Sequence, residues 1–377
     1  MISRKILLPI LFLAIAATSV FAQAGKLKYA KKLMDELNYT EAIAVYNQVL
    51  EKDDVAEAKI NIAECYRKIG DSGNAEFWYG QVVRLPEAEP ITKLYYGQML
   101  QRNGKCEVAR EWYNQYIEMV PDDLRGQYLA RACDYEQELM SKNAGIYEIK
   151  HLDFNSDLDD MTPNYWNGTV VFASDRDLGS AVKREHTWTG HPFLELYYVE
   201  YKEAKASEDG TCGELVYGRP EKFNKKINSK FHDAAITFPT NGKEIYFTRN
   251  NLFEGKVGKD DEGITRLKIY SAKDLGEGNW GDLESLPFNS DEYSVTHPAL
   301  SHDGNTLYFA SDMPGGFGGM DLYLSKKESG RWGPPENLGP QVNTEGNEIF
   351  PFVDQTGRLY FSSNGLIGLG GLDIYYT

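Results

Sequence analysis

Four sets of residues in this 377-residue sequence combine types and spacings that could do chemistry. Gly70-Asp71-Ser72-Gly73 puts a serine in the setting in which some hydrolases hold a nucleophile. His232, His297 and His302 supply side chains that exchange a proton near neutral pH. Gly315-Gly316-Phe317-Gly318-Gly319 and Leu369-Gly370-Gly371 have the composition of a backbone cradle for phosphate. Cys106 and Cys133 offer a disulfide.

The elements around these residues favour structural roles. Ser72 falls in a turn between two helical stretches, where Gly70 allows the backbone angles and Asp71 or Ser72 can cap the next helix. No Gly-x-Ser-x-Gly elbow and no His-Glu-x-x-His pair occurs in the sequence. The glycine runs are followed by neither a helix start nor a lysine, so they fit hairpin turns better than anion sites. The three histidines recur beside strand starts and turns. The sequence therefore assigns no catalytic residue, no metal ligand and no cofactor, and the chain is expected not to be an enzyme. Cys106 lies near the start of one helix and Cys133 within the next, at similar heights if the two pack antiparallel about residues 121–123. A disulfide between them is expected, with two buried thiols as the alternative.

Acidic residues outnumber basic ones, 56 against 40, for a formal charge of −16. Nucleic acid is disfavoured as a partner, because phosphate binding needs a basic face. Residues 1–22 open with Arg4 and Lys5, continue through an apolar run from Ile6 to Val20 and end on Val20-Phe21-Ala22. This pattern predicts a secretory signal peptide cleaved after Ala22. Its apolar run is shorter than the ~20 residues of a membrane span. Loss of Arg4 and Lys5 takes the charge to −18. No cysteine follows the cleavage site to carry a lipid, and no later segment is long and apolar enough to cross a bilayer.

Residues 23–143 carry a helical repeat. Ala42, Ala75 and Ala109 recur at intervals of 33 and 34 residues, and Tyr46, Tyr79 and Tyr113 follow each alanine by four. The small residue lets helices approach, and the tyrosine one turn on fills the space beside it. The pattern resembles the tetratricopeptide repeat: Ala63 or Gly97 in the first helix, Gly70 or Gly104 in the turn, Ala75 or Ala109 and Tyr79 or Tyr113 in the second helix, and Pro121 after the third unit. The first unit departs from it, with Leu37 where the turn glycine belongs. The resemblance implies a protein-binding scaffold with a concave groove lined by the first helix of each unit. By that register Lys31, Met34, Ile60, Glu64, Arg67, Leu94, Gln98 and Gln101 face the groove. The alternative is an array that only spaces or dimerises the protein.

Residues 146–377 carry a second repeat, of short strands. Thr169-Val-Val-Phe-Ala-Ser174, Glu244-Ile-Tyr-Phe-Thr-Arg249, Thr306-Leu-Tyr-Phe-Ala-Ser311 and Arg358-Leu-Tyr-Phe-Ser-Ser363 are four copies of one strand, each after a polar glycine turn. A further strand ends in Leu196-Tyr197, Ile269-Tyr270, Leu322-Tyr323 and Ile374-Tyr375. Asn155-Ser156, Asn228-Ser229, Asn289-Ser290 and Asn343-Thr344 mark the entry to each unit. Four strands per unit around an axis is a β-propeller, with at least four blades. The chain is therefore expected to be a multidomain α + β protein, a helical array followed by an all-β propeller. Because the fourth unit stops after its third strand, the propeller is expected to be incomplete, with residues 146–152 as a candidate closing strand.

The strand units resemble TolB-like, WD-type propeller repeats, and the third and fourth resemble the form found in OmpA-family periplasmic proteins of Bacteroidetes type. The combination of signal peptide, tetratricopeptide array and propeller resembles that family, some members of which accompany type IX secretion and gliding machinery. It implies a non-enzymatic scaffold in the periplasm, peripheral to the outer membrane and binding periplasmic or outer-membrane proteins. Peptidoglycan would be reached only through a further C-terminal domain. A propeller that binds a glycan or peptide in its central funnel is the alternative.

Overall fold

The computed structural model describes residues 23–142, 145–146, 149–176, 184–203, 215–276 and 278–377, and the expected signal peptide lies outside them. The chain divides into two compact units, Met1–Asp122 with the segment His186–Gly190, and Asp123–Glu185 with His191–Thr377.

The first unit is built from helices α1 (23–35), α2 (Tyr39–Leu50), α3 (Ala56–Ile69), α4 (Ser72–Val82), α5 (Ile91–Arg102) and α6 (Cys106–Met119). Consecutive helices pack on one another from α2 to α6. The repeating residues make the contacts: Ala42, Ala75 and Ala109 are fully buried, as are Tyr46 and Tyr113, with Tyr79 nearly so. Each tyrosine also satisfies its hydroxyl. Asn61 donates to Tyr46 at 2.9 Å, while Tyr79 and Tyr113 donate to Glu64 and Gln101, both at 2.8 Å. A Cβ on Gly97 would meet the Tyr113 ring at 2.4 Å, so glycine there is what lets α5 accept the tyrosine of α6.

Turns between paired helices use the left-handed region, with φ of 86° at Gly70 and 74° at Gly104. Leu37 takes the same conformation at φ 60°. The first unit thus keeps the turn geometry although its sequence lacks the glycine. Trp188, from the segment His186–Gly190, meets the Tyr39 ring edge-on at 5.2 Å and donates its indole N–H to the Lys68 carbonyl at 3.0 Å.

The second unit begins with α7 (Leu124–Asp134) and α8 (Glu136–Lys142), and continues as four antiparallel sheets arranged as a four-bladed β-propeller. Blade one holds β1 (Asp160–Trp166), β2 (Thr169–Ser174), β3 (Glu195–Glu203), β4 (Leu215–Tyr217) and β5 (Glu221–Lys222). Blade two holds β6 (Asp233–Thr237), β7 (Glu244–Asn250), β10 (Leu267–Asp274) and β11 (Trp280–Ser285), with β8 (Leu252–Phe253) and β9 (Lys256–Val257) as a separate hairpin. Blade three holds β12 (Val295–Leu300), β13 (Thr306–Ser311), β14 (Asp321–Glu328), β15 (Arg331–Trp332) and β16 (Glu336–Asn337). Blade four holds β17 (Glu348–Val353), β18 (Leu359–Ser363) and β19 (Asp373–Tyr376).

Side chains alternate across each strand, and both faces of the middle strands are covered. Phe247 and Tyr270 pack toward blade one with Leu196 and Trp280, whereas Tyr246 and Ile269 pack toward blade three with Phe309 and Tyr323. Leu322 and Ala310 then meet Leu359 and Phe361 of blade four. Of the candidate closing segment, residues 146 and 149–152 are described and 147–148 are not. Its described residues join no sheet, and Ile149 is 97% exposed.

The asparagine landmarks acquire a physical role. Asn228 accepts the Leu196 N–H and donates to the Leu196 carbonyl, both at 2.9 Å. Asn289 does the same to Ile269 at 3.1 and 2.7 Å, and Asn343 to Leu322 at 2.8 and 3.0 Å. Each amide therefore imitates a strand neighbour for the third strand of one blade just before the chain enters the next. Asn289→Ala is expected to lower stability by about 1–2 kcal/mol, since the Ile269 N–H loses its acceptor and the Ile269 carbonyl keeps only the longer bond from the Leu286 N–H at 3.3 Å. Urea titration of the full chain checks this, and an unchanged midpoint would speak against the clamp.

Candidate functional site

The predicted groove residues of the helical unit do not form one open surface. Lys31 is exposed and pairs with Asp35, and Gln98 is partly exposed. Met34 and Ile60 are half-buried against apolar clusters. Glu64 and Arg67 neutralise each other, with Arg67 Nε 2.7 Å from the carboxylate, and the guanidinium lies 3.9 Å from the Tyr95 ring centroid. Burial raises the Glu64 carboxyl, but the Arg67 hydrogen bonds and charge outweigh it and hold the group below its ordinary range. Leu94 is fully buried and Gln101 nearly so, which corrects their placement in the groove: both serve the core, Gln101 as the acceptor for Tyr113. Cys106 and Cys133 are both disulfide-bonded. Cys65 is a free thiol pushed up to about 12 by burial, with the Glu64 charge adding to it.

The motifs with chemical potential are mostly occupied by the chain itself. Asp71 caps α4 by accepting the Asn74 N–H at 3.0 Å, and the Ser72 hydroxyl donates to Asn103 at 2.7 Å. The glycine runs do cradle an anion, but an internal one. Phe317 and Gly318 donate backbone N–H groups to the Asp321 carboxylate at 2.7 and 3.2 Å, and Leu369 and Gly370 do so to Asp373 at 2.8 and 3.2 Å. His232 accepts the Leu194 N–H at 3.0 Å, and His302 accepts the Thr240 hydroxyl through its carbonyl at 2.7 Å.

His297 is different. It belongs to a feature repeated in all four blades, a register break in the innermost strand. The breaks lie between Met161 and Asn164, Ala234 and Ile236, Thr296 and Ala299, and Ile349 and Phe352. At each, one non-glycine residue takes positive φ: Thr162 at 52°, Ala235 at 42°, His297 at 54° and Phe350 at 54°. Such angles cost on the order of 1–3 kcal/mol each and concentrate at functional sites. Three of the four residues precede a proline, Pro163, Pro298 and Pro351. That repeated X-Pro pair is the sequence signal of the ring, and it lies one strand inside the Phe-centred copies that define the repeat.

The four bulge residues line a cavity of about 1300 Å³. Aromatic side chains form its wall, among them Tyr165, Trp166, Phe238, Phe352 and Tyr360, and turn residues Asn167, Asn241, His302 and Gln355 lie around it. Trp166 stacks on Phe238 at 5.4 Å, and the His297 ring lies 4.1 Å from that of Phe350. Tyr165 is 65% and Phe352 52% exposed, which gives the funnel an apolar rim. Two buried polar atoms in the ring have no hydrogen-bond partner, Nδ1 of His297 and Oγ1 of Thr162. Burial lowers the His297 pKa to about 3, so the imidazole is neutral at any ordinary pH.

Buried charge stiffens the strands behind the ring. Two residues before the bulge stand Asp160, Asp233 and Glu348, with Val295 in blade three. Asp160 meets Arg176 at 2.6 Å, Asp233 meets Arg249 at 2.5 Å, and Glu348 accepts from the Thr344 N–H and hydroxyl at 2.8 and 2.7 Å. Burial raises the carboxyls of Asp233 and Glu348, whereas for Asp160 the Arg176 and Ser156 hydrogen bonds overcome burial and lower it.

No family model matches the chain, and no curated protein sequence matches it. Solved structures do. A Mycobacterium tuberculosis puromycin-hydrolyzing peptidase aligns at 14% identity and TM-score 0.31 over 58% of this chain and 36% of its own, so the chain spans about a third of that enzyme. A thermostable family-43 glycoside hydrolase aligns at 11% identity and TM-score 0.31 over 58% of this chain and 89% of its own. Trypanosoma rangeli sialidase aligns at 12% identity and TM-score 0.33 over 61% of this chain and 39% of its own.

Proposed function

We propose that this protein is a non-enzymatic binding protein of the cell envelope, whose propeller funnel holds an extended peptide segment of a protein partner. The observation that carries this is the ring of four strained bulges around an aromatic-walled cavity, with two buried polar atoms left to a ligand. A peptide offers what the ring lacks: a backbone N–H for His297 Nδ1, a carbonyl for the Thr162 hydroxyl, and apolar side chains for Trp166 and Phe352. The helical array, read as tetratricopeptide-like, would add a second contact surface. The resemblance to OmpA-family envelope proteins supports a periplasmic location at the outer membrane and a role beside type IX secretion or gliding machinery, and the charge of −18 after cleavage favours protein partners over nucleic acid or anionic lipid. Peptidoglycan would need a further domain.

The test is a photo-crosslinking residue at position 352 in the full chain, irradiated in envelope extract. A single protein adduct mapping to one contiguous segment is expected. Adducts no more abundant than those from the buried position 288 would overturn the proposal. The aromatic wall also suits sugar rings, and an adduct of glycan mass with no protein would favour a glycan-binding funnel instead.

A further inference from the structure

Blade one carries a second polar constellation, away from the ring of bulges. Asp159 precedes β1 and Asp175 follows β2, so the two sit side by side at one end of that hairpin, and His191 arrives from the segment before β3. Donor atoms of all three lie within 4.8 Å of one another. His191 Nδ1 is 3.2 Å from Asp175 Oδ2. Asp175 is only 3% exposed, whereas Asp159 and His191 reach solvent.

The other blades show what this position needs for folding alone. There the corresponding pairs are His232 with Asn250, Ser294 with Asp312, and Asn347 with Asn364. In each, the backbone N–H of the first donates to the side-chain oxygen of the second, at 2.9, 2.6 and 2.8 Å. Asp159 makes the same bond to Asp175 at 2.8 Å. A neutral asparagine does this work in two blades, so the hydrogen bond requires no charge. Where blade three has an aspartate, Arg266 lies 3.7 Å from it. Blade one is the departure: two carboxylates face each other, and among the described residues no lysine or arginine pairs with either. The adjacent Arg176 turns to Asp160 and Ser174 instead. A buried carboxylate needs compensating positive charge, and among the described residues His191 alone comes within hydrogen-bond reach of Asp175 to supply it.

We propose that Asp159, Asp175 and His191 bind one divalent transition-metal ion of the Zn²⁺ or Mn²⁺ class. Two carboxylates and an imidazole provide three ligands, and the exposed side leaves positions for water or a partner's group. The nitrogen ligand separates the site from the all-oxygen sets that Ca²⁺ and Mg²⁺ prefer. The site is independent of the funnel, and its test does not depend on funnel binding.

The experiment is equilibrium dialysis of the chelator-treated, tag-free full chain against Zn²⁺, Mn²⁺ and Ca²⁺ singly, with metal measured by mass spectrometry. Wild type is expected to retain one equivalent of Zn²⁺ or Mn²⁺. Asp175→Asn and His191→Ala are each expected to lose at least about tenfold in affinity. Asp175→Asn keeps the bond to the Asp159 N–H, as Asn250 and Asn364 do, so its fold is preserved, and circular dichroism identical to wild type verifies that. No retained transition metal in wild type, retention of Ca²⁺ alone, or unchanged affinity in both folded variants would overturn the proposal.

Discussion

Arg249→Ser is expected to destabilise the propeller by about 3–5 kcal/mol, the largest effect of any single substitution considered. Asp233 is fully buried and Arg249 is 4% exposed, so removing the guanidinium leaves a carboxylate in the interior with no cation. The Ile227 carbonyl loses its donor as well. Blade three shows the apolar solution to the same position, Val295 opposite Ser311. The double variant Asp233→Val with Arg249→Ser copies it and is expected to recover most of the loss. Urea denaturation followed by tryptophan fluorescence measures both. A single variant within about 1 kcal/mol of wild type, or a double variant no better than the single, would refute the pairing argument.

The pH dependence of that loss has a definite sign. Burial raises the Asp233 carboxyl in the folded state, and Arg249 only partly offsets it. A carboxyl with a raised folded pKa contributes stability below its unfolded pKa and loses it as pH rises through the folded value. Removal of Arg249 raises the carboxyl further, so the penalty of Arg249→Ser is largest at neutral pH and shrinks toward acid.

His297→Phe is expected to make the propeller less sensitive to acid. The folded imidazole titrates at about 3 because burial disfavours its charged form. The unfolded chain takes up the proton near pH 6.5. Between those values the unfolded state holds more protons, so stability falls as pH falls, by about 2 kcal/mol from pH 7.5 to pH 5 through this one residue. Phenylalanine fits the position, since Phe350 occupies the equivalent bulge of blade four at the same φ of 54°. Stability curves for wild type and variant should diverge below pH 6.5. Parallel curves down to pH 4.5 would show that His297 is not held neutral by the fold.

Much of the architecture was legible because repeats report themselves. Ala42, Ala75 and Ala109 and their tyrosines exposed the helical period, since a helix interface tolerates only a small residue where backbones meet and needs a large one beside it. The four Phe-centred strands exposed the blades, since strands covered on both faces must be apolar at successive positions. The landmark asparagines were visible as a pattern but not as a clamp: the atoms they grip, Leu196, Ile269 and Leu322, are backbone groups that any sequence carries. Leu94 shows the opposite failing. Register put Leu94 in a groove, whereas the packing of α5 put it in the core.

The order of the two repeat types and the repeated strands of each blade follow from the sequence alone, because they rest on local periodicity and turn chemistry. Where the candidate sites lie depends instead on how the strands pair and the blades pack. Thr162, Ala235, His297 and Phe350 have nothing in common as residue types. They become one ring because four separate strands place the same backbone distortion around a shared axis, and Asp159, Asp175 and His191 converge because a hairpin closes. Convergence of residues distant in sequence is a property of strand pairing and blade packing; Pro163, Pro298 and Pro351 mark the distortion in three blades but not the ring that the blades make of it.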